Sequence, residues 1–257
     1  MTDAYPATPS LRLEGRRALV TGAGRGLGAA AALALGGAGA AVTLISRTMG
    51  EIEPVAAEIR RRGGAAEPLS CDVNDCDHAA ALIGAAEPFD ILVNNAGTNR
   101  PAPFVDVSTK DYDDVFGLNV RSAFFLAQAV ARRLIGAGQG GSIINVSSQM
   151  GHVGAANRTV YYATKHAIEG LTKAMAADLG PHGIRVNSLC PTFIETPMTA
   201  PFLADPEFRG FALGKLKLGR LGRVEDIMGG IVFLASDASA LMTGAALMLD
   251  GGWTSIS

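Results

Sequence analysis

The 257-residue sequence predicts an α/β chain, a single doubly wound domain with a parallel sheet of about seven strands and helices on both faces. Three observations carry that expectation. Short apolar runs alternate with helical patterns along nearly the whole chain, which implies parallel βαβ units with right-handed crossovers. A glycine-rich turn, Thr21-Gly22-Ala23-Gly24-Arg25-Gly26-Leu27-Gly28, stands between the first apolar run and the first helical one. No tandem repeat or low-complexity linker divides the chain, and 48% hydrophobic residues are enough for one large core.

The elements follow in order. Arg17-Ala18-Leu19-Val20 is short and apolar, as a buried parallel strand requires, and Ala29–Ala38 is mostly Ala and Leu, strong helix formers. Ala41–Ser46 reads as the second strand, and Glu51–Arg62 as a charged amphipathic helix closed by Gly63-Gly64. A third strand over Glu67–Cys71 leads to a helix over Cys76–Ala86, and Phe89–Asn94 makes the fourth strand. One long helical region is expected over Thr109–Ile135, then a fifth strand over Ser142–Ser147. Val160–Leu179 is helical, Ile184–Leu189 is the sixth strand, Val224–Ala235 a further helix and Ala245–Leu249 the last strand.

Strand, glycine turn and helix together form the setting in which a phosphate sits on exposed amides at the positive end of a helix. Gly22, Gly26 and Gly28 allow the tight turn, close approach of backbone to a pyrophosphate, and helix–strand packing. The bland alternative, an Ala/Gly-rich turn that binds nothing, has some purchase in a chain with 32 glycines.

Composition narrows the class. A net charge of −2 with mixed signs offers no nucleic-acid surface. No apolar stretch approaches the roughly 20 residues of a membrane span. Met1–Ser10 lacks the basic and apolar regions of a secretory signal and is expected to be a flexible leader, with the catalytic domain over residues 11–257. Cys71, Cys76 and Cys190 form no Cys-x-x-Cys pair and have no companion histidine cluster in sequence. Reduced thiols, a cytoplasmic location and no metal site are therefore expected.

Tyr161 and Lys165 are four apart in Tyr161-Tyr162-Ala163-Thr164-Lys165, so on a helix phenol and ammonium share a face. A nearby ammonium favours the phenolate and is expected to lower a tyrosine pKa that is ordinarily about 10. Ser148, thirteen positions before the tyrosine, comes from a separate segment and can hold a substrate oxygen beside the phenol. The three make a device for moving a proton on or off a carbinol oxygen. Tyr162, three before Lys165, is a rival base assigned to packing or the pocket wall, and Ser147, fourteen before Tyr161, is a rival hydroxyl.

With these residues in view, the chain resembles the short-chain dehydrogenase/reductase family from Leu13 to Gly252. Thr21-Gly22-x-x-x-Gly26-x-Gly28 is similar to its cofactor turn, Asp72-Val73 to its adenine-contacting pair, and Asn94-Asn95-Ala96-Gly97 to its turn after the fourth strand. Asn119, Ser148, Tyr161 and Lys165 match its catalytic tetrad. Pro191–Thr196 resembles its P-G-x-x-x-T segment, with Ile194 and Thr196 where the nicotinamide carboxamide is held; Thr192 stands where glycine is usual. The resemblance implies a Rossmann-type domain in which Tyr161 donates or accepts the substrate proton. Ser148 would orient the same oxygen, Lys165 would bind the nicotinamide ribose and keep the phenol acidic, and Asn119 would hold a water relaying protons to Lys165. It also implies a homotetramer, with the helices at Thr109–Ile135 and Val160–Leu179 carrying apolar residues beyond one face (Phe116, Phe124, Phe125, Leu126; Ile168, Leu171, Met175) and the last strand as a second contact.

Cofactor choice is read after the second strand. A carboxylate there would bind ribose hydroxyls and repel a 2′-phosphate, but this chain has Ser46-Arg47-Thr48, with Arg25 and Leu27 in the neighbouring turn. NADP(H) is favoured over NAD(H). The substrate pocket is expected from Ser148, Tyr161, His152, Phe193, Met198 and Phe202, with Phe208 and Phe211 in the same lid-like stretch at about 192–218. His152 is equally readable as a plain loop histidine. Asn99-Arg100 offers an anchor for a sugar acid, or merely a surface arginine. Two enzymes fit: an NADPH-dependent reductase of ketones or 3-oxoacyl thioesters, or a dehydrogenase of a polyol or sugar acid. A non-catalytic nucleotide sensor is the third reading; it has no use for a proton-transfer set.

Overall fold

The computed structural model describes residues 5–255; the expected leader's Met1–Ala4 lie outside them, and 5–10 is exposed and without regular structure. Seven parallel strands form one sheet: β1 (Arg17–Thr21), β2 (Ala41–Ser46), β3 (Ala65–Ser70), β4 (Ile91–Asn94), β5 (Gly141–Val146), β6 (Ile184–Pro191) and β7 (Ala246–Leu249), in the order β3-β2-β1-β4-β5-β6-β7. The chain winds outward from β1 to β3, then restarts at β4 on the other side of β1, where Leu19 lies opposite Leu92. Connections leave β1 and β4 in opposite directions, which opens a crevice at their C-terminal ends. Pro68, which lacks a donor, lies in the edge strand β3.

Alternation along each strand sends residues to two apolar layers. Ala18, Val20, Val42 and Leu44 meet α1 (Gly26–Gly37), α2 (Met49–Arg61) and α9 (Glu225–Ala235) on one face. Leu19, Ile45, Leu92 and Ile143 meet α3 (Cys76–Ala85), α5 (Ser122–Gly136) and α6 (Thr159–Leu179) on the other. A third, smaller cluster joins Met150, Tyr162 and Phe193 to the segment carrying α7 (Ala200–Leu203) and α8 (Pro206–Lys215).

Two departures from the expected elements bear on the site. The first helix starts at Gly26 rather than Ala29, because Arg25 is still extended and Gly26 turns the chain with a φ of +55°. The long helical region is interrupted: α4 (Thr109–Phe116) passes into a π-helical turn at Gly117–Arg121 before α5 begins. Gly117 is a weak helix former, and the wider turn carries Asn119 inward to a buried position.

Candidate active site at the sheet switch point

The glycine turn after β1 packs against the turn after β4. Asn95 donates from its side chain to the Thr21 carbonyl (2.9 Å) and the Gly22 carbonyl (3.2 Å), and Thr21 Oγ1 accepts from the Asn95 and Ala96 amides at 3.0 Å. A Cβ at Gly28 would lie 2.2 Å from the Gly22 carbonyl oxygen, so nothing larger fits there. Gly26 faces Thr196, and Gly97 faces the Asn119 amide oxygen. Thus the residues expected around a dinucleotide, drawn from Gly22, Gly26, Gly28, Asn95, Ala96, Gly97 and Thr196, do converge on one cleft. Helix α1 begins there with no side-chain cap, leaving donors of its first turn free for an anion. The donor set fits a pyrophosphate.

At the outer end of β2, Ser46 is half-buried, and Arg47 and Thr48 are exposed at an α2 start that also lacks a side-chain cap. Arg25 reaches over this region, largely exposed, with one guanidinium nitrogen 3.5 Å from Glu51. Beyond β3, Val73 is buried and Asp72 accepts from the Asn74 amide. Ile194 is buried, and Leu27 is half-buried against the first core layer. Thr192, where glycine is usual, keeps φ out of the left-handed region. Its substitution needs no unusual backbone, but its hydroxyl is buried without a partner.

Ser148 follows β5 in extended conformation and caps the short 3-10 turn Gln149–Gly151 by accepting from the Met150 amide at 3.1 Å. Its own proton reaches only 3.4 Å to the Pro191 carbonyl at the end of β6. Tyr161 lies one turn into α6, with Lys165 one turn further; the ammonium sits 5.4 Å from the centre of the phenol ring and donates to the Val146 carbonyl at 2.9 Å. Asn119 joins two segments: its amide oxygen accepts from the Thr98 amide (2.8 Å), while its amide nitrogen donates to the Thr98 carbonyl (3.0 Å) and to Thr164 Oγ1 (3.1 Å). Its side chain is spent on bracing the loop after β4 to α6, with no hydrogen bond to Lys165.

Electrostatics correct one expectation. The Tyr161 phenol is not acidified here: burial pushes it up to about 12, with Ser148 and Arg158 pulling weakly the other way. Burial likewise brings Lys165 down to about 8, opposed by Cys190 and Glu169. The reason is that both groups are withdrawn from water, and the ammonium points at a backbone carbonyl rather than at the phenol oxygen.

Cys190, isolated in the sequence, acquires company. His152 turns its Nε2 to within 3.6 Å of Glu169 and 3.5 Å of Cys190 Sγ, and Ser188 donates to Glu169 at 2.8 Å. The three ligand-type atoms lie within 4.8 Å of one another, a grouping that spacing cannot reveal because it draws on three segments. Arg100 pairs with Asp111 (3.0 Å) and Asp114 (2.9 Å), which is the surface reading of that arginine. Phe193 is buried, Phe202 half-buried and Met198 exposed. Sequence reasoning missed Thr164 and Arg158; the one signal for either was proximity to Tyr161. It also missed Gln149, whose buried side-chain amide has no partner.

A cleft that offers helix-start amides to a pyrophosphate, beside a serine, a tyrosine and a lysine, is that of a dinucleotide-dependent oxidoreductase of carbonyl and secondary-alcohol groups. The chain belongs to the short-chain dehydrogenase/reductase family, and the family profile described as Enoyl-(Acyl carrier protein) reductase matches residues 22–254. It is 43% identical to D-erythrulose reductase of Gallus gallus, over 95% of this chain and 98% of that one. It is 41% identical to gluconate 5-dehydrogenase of Gluconobacter oxydans, over 94% and 96%. The structure of a gluconate 5-dehydrogenase from Burkholderia cenocepacia, in complex with NADP and tartrate, superposes with a TM-score of 0.93 at 37% identity, covering 98% and 100% of the two chains. The protein is an NAD(P)-dependent enzyme of this family.

Proposed function

We propose that the protein is an NADPH-dependent reductase of keto sugars, delivering hydride to the ketone of a polyhydroxylated chain. The observation that carries this reading is the meeting of Ser148, Tyr161 and Lys165 beside the glycine turn. The two relatives named for sugar chemistry, each covered nearly end to end, favour a polyol or sugar-acid substrate over a 3-oxoacyl thioester.

NADP(H) supplies the hydride when bound, held by Gly22, Arg25, Gly26, Leu27, Gly28, Asp72, Val73, Asn95, Ala96, Gly97, Pro191, Ile194 and Thr196. Ser46, Arg47 and Thr48 carry no carboxylate to repel a 2′-phosphate, and Arg47 is exposed to meet one. Ser148, whose hydroxyl proton is only loosely engaged by Pro191, turns to the substrate oxygen and orients it. Tyr161 is the proton donor. A phenol pushed up to about 12 is fully protonated at neutral pH, the state that carbonyl reduction requires. Lys165 provides the cation that holds the ribose hydroxyls. Asn119 acts as a positioning residue through Thr98 and Thr164.

The segment at about 192–218 serves as the substrate lid, with Phe193, Phe202, Phe208 and Phe211 packed in a chain of ring contacts closed by Trp253. Met198, within this segment, and His152 complete the substrate pocket. A homotetramer is favoured by two apolar grooves. One of about 500 Å³ is lined by Phe116, Val120, Phe124, Phe125 and Leu171; a second of about 370 Å³ lies by Phe233, Leu241 and Met242 beside the edge strand β7. Leu126 and Ile168, expected in the first contact, are buried in the protein's own core. We place the enzyme in the cytoplasm on its reduced, buried cysteines; among the described residues no helix is long and apolar enough to cross a membrane.

The test is consumption of NADPH and NADH with D-erythrulose, 5-ketogluconate and an acetoacetyl thioester. Turnover of either sugar with NADPH supports the reading. Turnover of the thioester alone contradicts it.

A further inference from the structure

Arg158 stands three residues before Tyr161, where the loop from Ser148 enters α6. Its guanidinium carbon lies 4.8 Å from the centre of the Phe202 ring, 5.3 Å from Phe208 and 6.0 Å from Phe193. It is therefore held between the N-terminus of the tyrosine helix and the underside of the segment carrying α7 and α8. Its Nε is buried with no hydrogen-bond partner, and among the described residues no carboxylate pairs with the guanidinium.

Arg185, also half-buried, donates to the Leu234 and Ser236 carbonyls and to Ser239 Oγ at 2.9 to 3.1 Å. Arg100 and Arg220 are paired with aspartates. Arg17 and Arg133 also leave a buried Nε unpartnered, on β1 and α5, but Arg158 combines that feature with a place beside Tyr161. Ring faces offset part of the loss of water around a cation, but they offer no acceptor for its N–H groups. Burial opposes its charge, yet an arginine keeps its proton under all ordinary conditions.

We propose that Arg158 anchors a carboxylate of the substrate, so that the enzyme selects keto-sugar acids over neutral ketoses. A planar guanidinium with a free edge matches a planar carboxylate, and the phenylalanine walls strengthen the pair by excluding water. A phosphate is the poorer match, because no second cation among the described residues accompanies Arg158 in the ring cluster. This rests on the keto-sugar reading above and names its substrate class.

The test is steady-state reduction of 5-ketogluconate and of the neutral six-carbon ketose L-sorbose with NADPH, by wild type, Arg158→Met and Arg158→Lys. Thermal melting of each variant controls for folding. The wild type should favour the acid by at least about tenfold in kcat/KM. Arg158→Met should lower that preference by about 10- to 100-fold, mainly through KM, with Arg158→Lys in between. A wild type that treats acid and ketose alike, or an Arg158→Met that slows both equally, overturns the anchor while leaving keto-sugar reduction standing. Failure of the wild type on both compounds instead strikes the underlying reading. D-gluconate is then titrated into the enzyme–NADPH complex: binding lost in Arg158→Met upholds the anchor, and binding unchanged overturns it.

Discussion

Lys165 holds its ammonium 5.4 Å from the centre of the Tyr161 ring while donating to the Val146 carbonyl at 2.9 Å. Cation and phenol thus share a site without sharing a hydrogen bond, and burial disfavours the charged form of each.

A pH profile follows from this pair. Lys165, brought down to about 8, is charged below that pH and neutral above it; Tyr161, at about 12, stays protonated throughout. Carbonyl reduction measured as kcat/KM should therefore hold steady up to about pH 8 and decline beyond it, as the cation that holds the ribose is lost. A profile flat to pH 10 would show that Lys165 does not titrate in this range.

Cofactor preference should follow the residues after β2. Ser46→Asp with Arg47→Leu sets a carboxylate against the 2′-phosphate and removes its counter-charge, each worth about 1–3 kcal/mol. Preference should move toward NADH by one to a few orders of magnitude, about tenfold per 1.4 kcal/mol. A wild type that already prefers NADH in kcat/KM contradicts the assignment of Arg47.

The glycine turn should tolerate no side chain at residue 28. In Gly28→Ala the new methyl would meet the Gly22 carbonyl oxygen and the Asn95 amide nitrogen, at 2.2 and 2.4 Å. The turn must shift, with overpacking of about 1–3 kcal/mol and weakened NADPH affinity by fluorescence titration. Unchanged affinity and melting temperature would mean that the turn is not the cofactor cradle.

Assembly is open to light scattering. A chain of 26.4 kDa should behave as a species four times heavier, and Phe124→Asp in the α5 groove should reduce that mass. Wild-type protein near 26.4 kDa at micromolar concentration excludes the tetramer, and twice that mass leaves one of its two interfaces.

The strand and helix order was legible because apolar periodicity is a local property, and parallel strands buried on both faces read as short apolar runs. Tyr161 and Lys165 were legible for the same reason: one helical turn fixes their common face. What sequence could not show depends on packing across the chain. The π turn at Asn119 is braced by bonds to Thr98 and Thr164, residues 21 and 45 positions away. The cage around Arg158 is built by phenylalanines from the far side of β6. The phenol shift was expected in the wrong direction because spacing reports which residues are close, not how much water they have lost.

The most direct test of the account is Tyr161→Phe, assayed for NADPH-dependent reduction of a keto sugar alongside NADPH binding. The hydroxyl is assigned to the substrate oxygen and not to the cofactor's phosphates. Turnover should fall by about 10²- to 10⁴-fold while NADPH affinity stays within a few-fold of wild type. Near-normal turnover in Tyr161→Phe would contradict the central claim that this phenol delivers the proton.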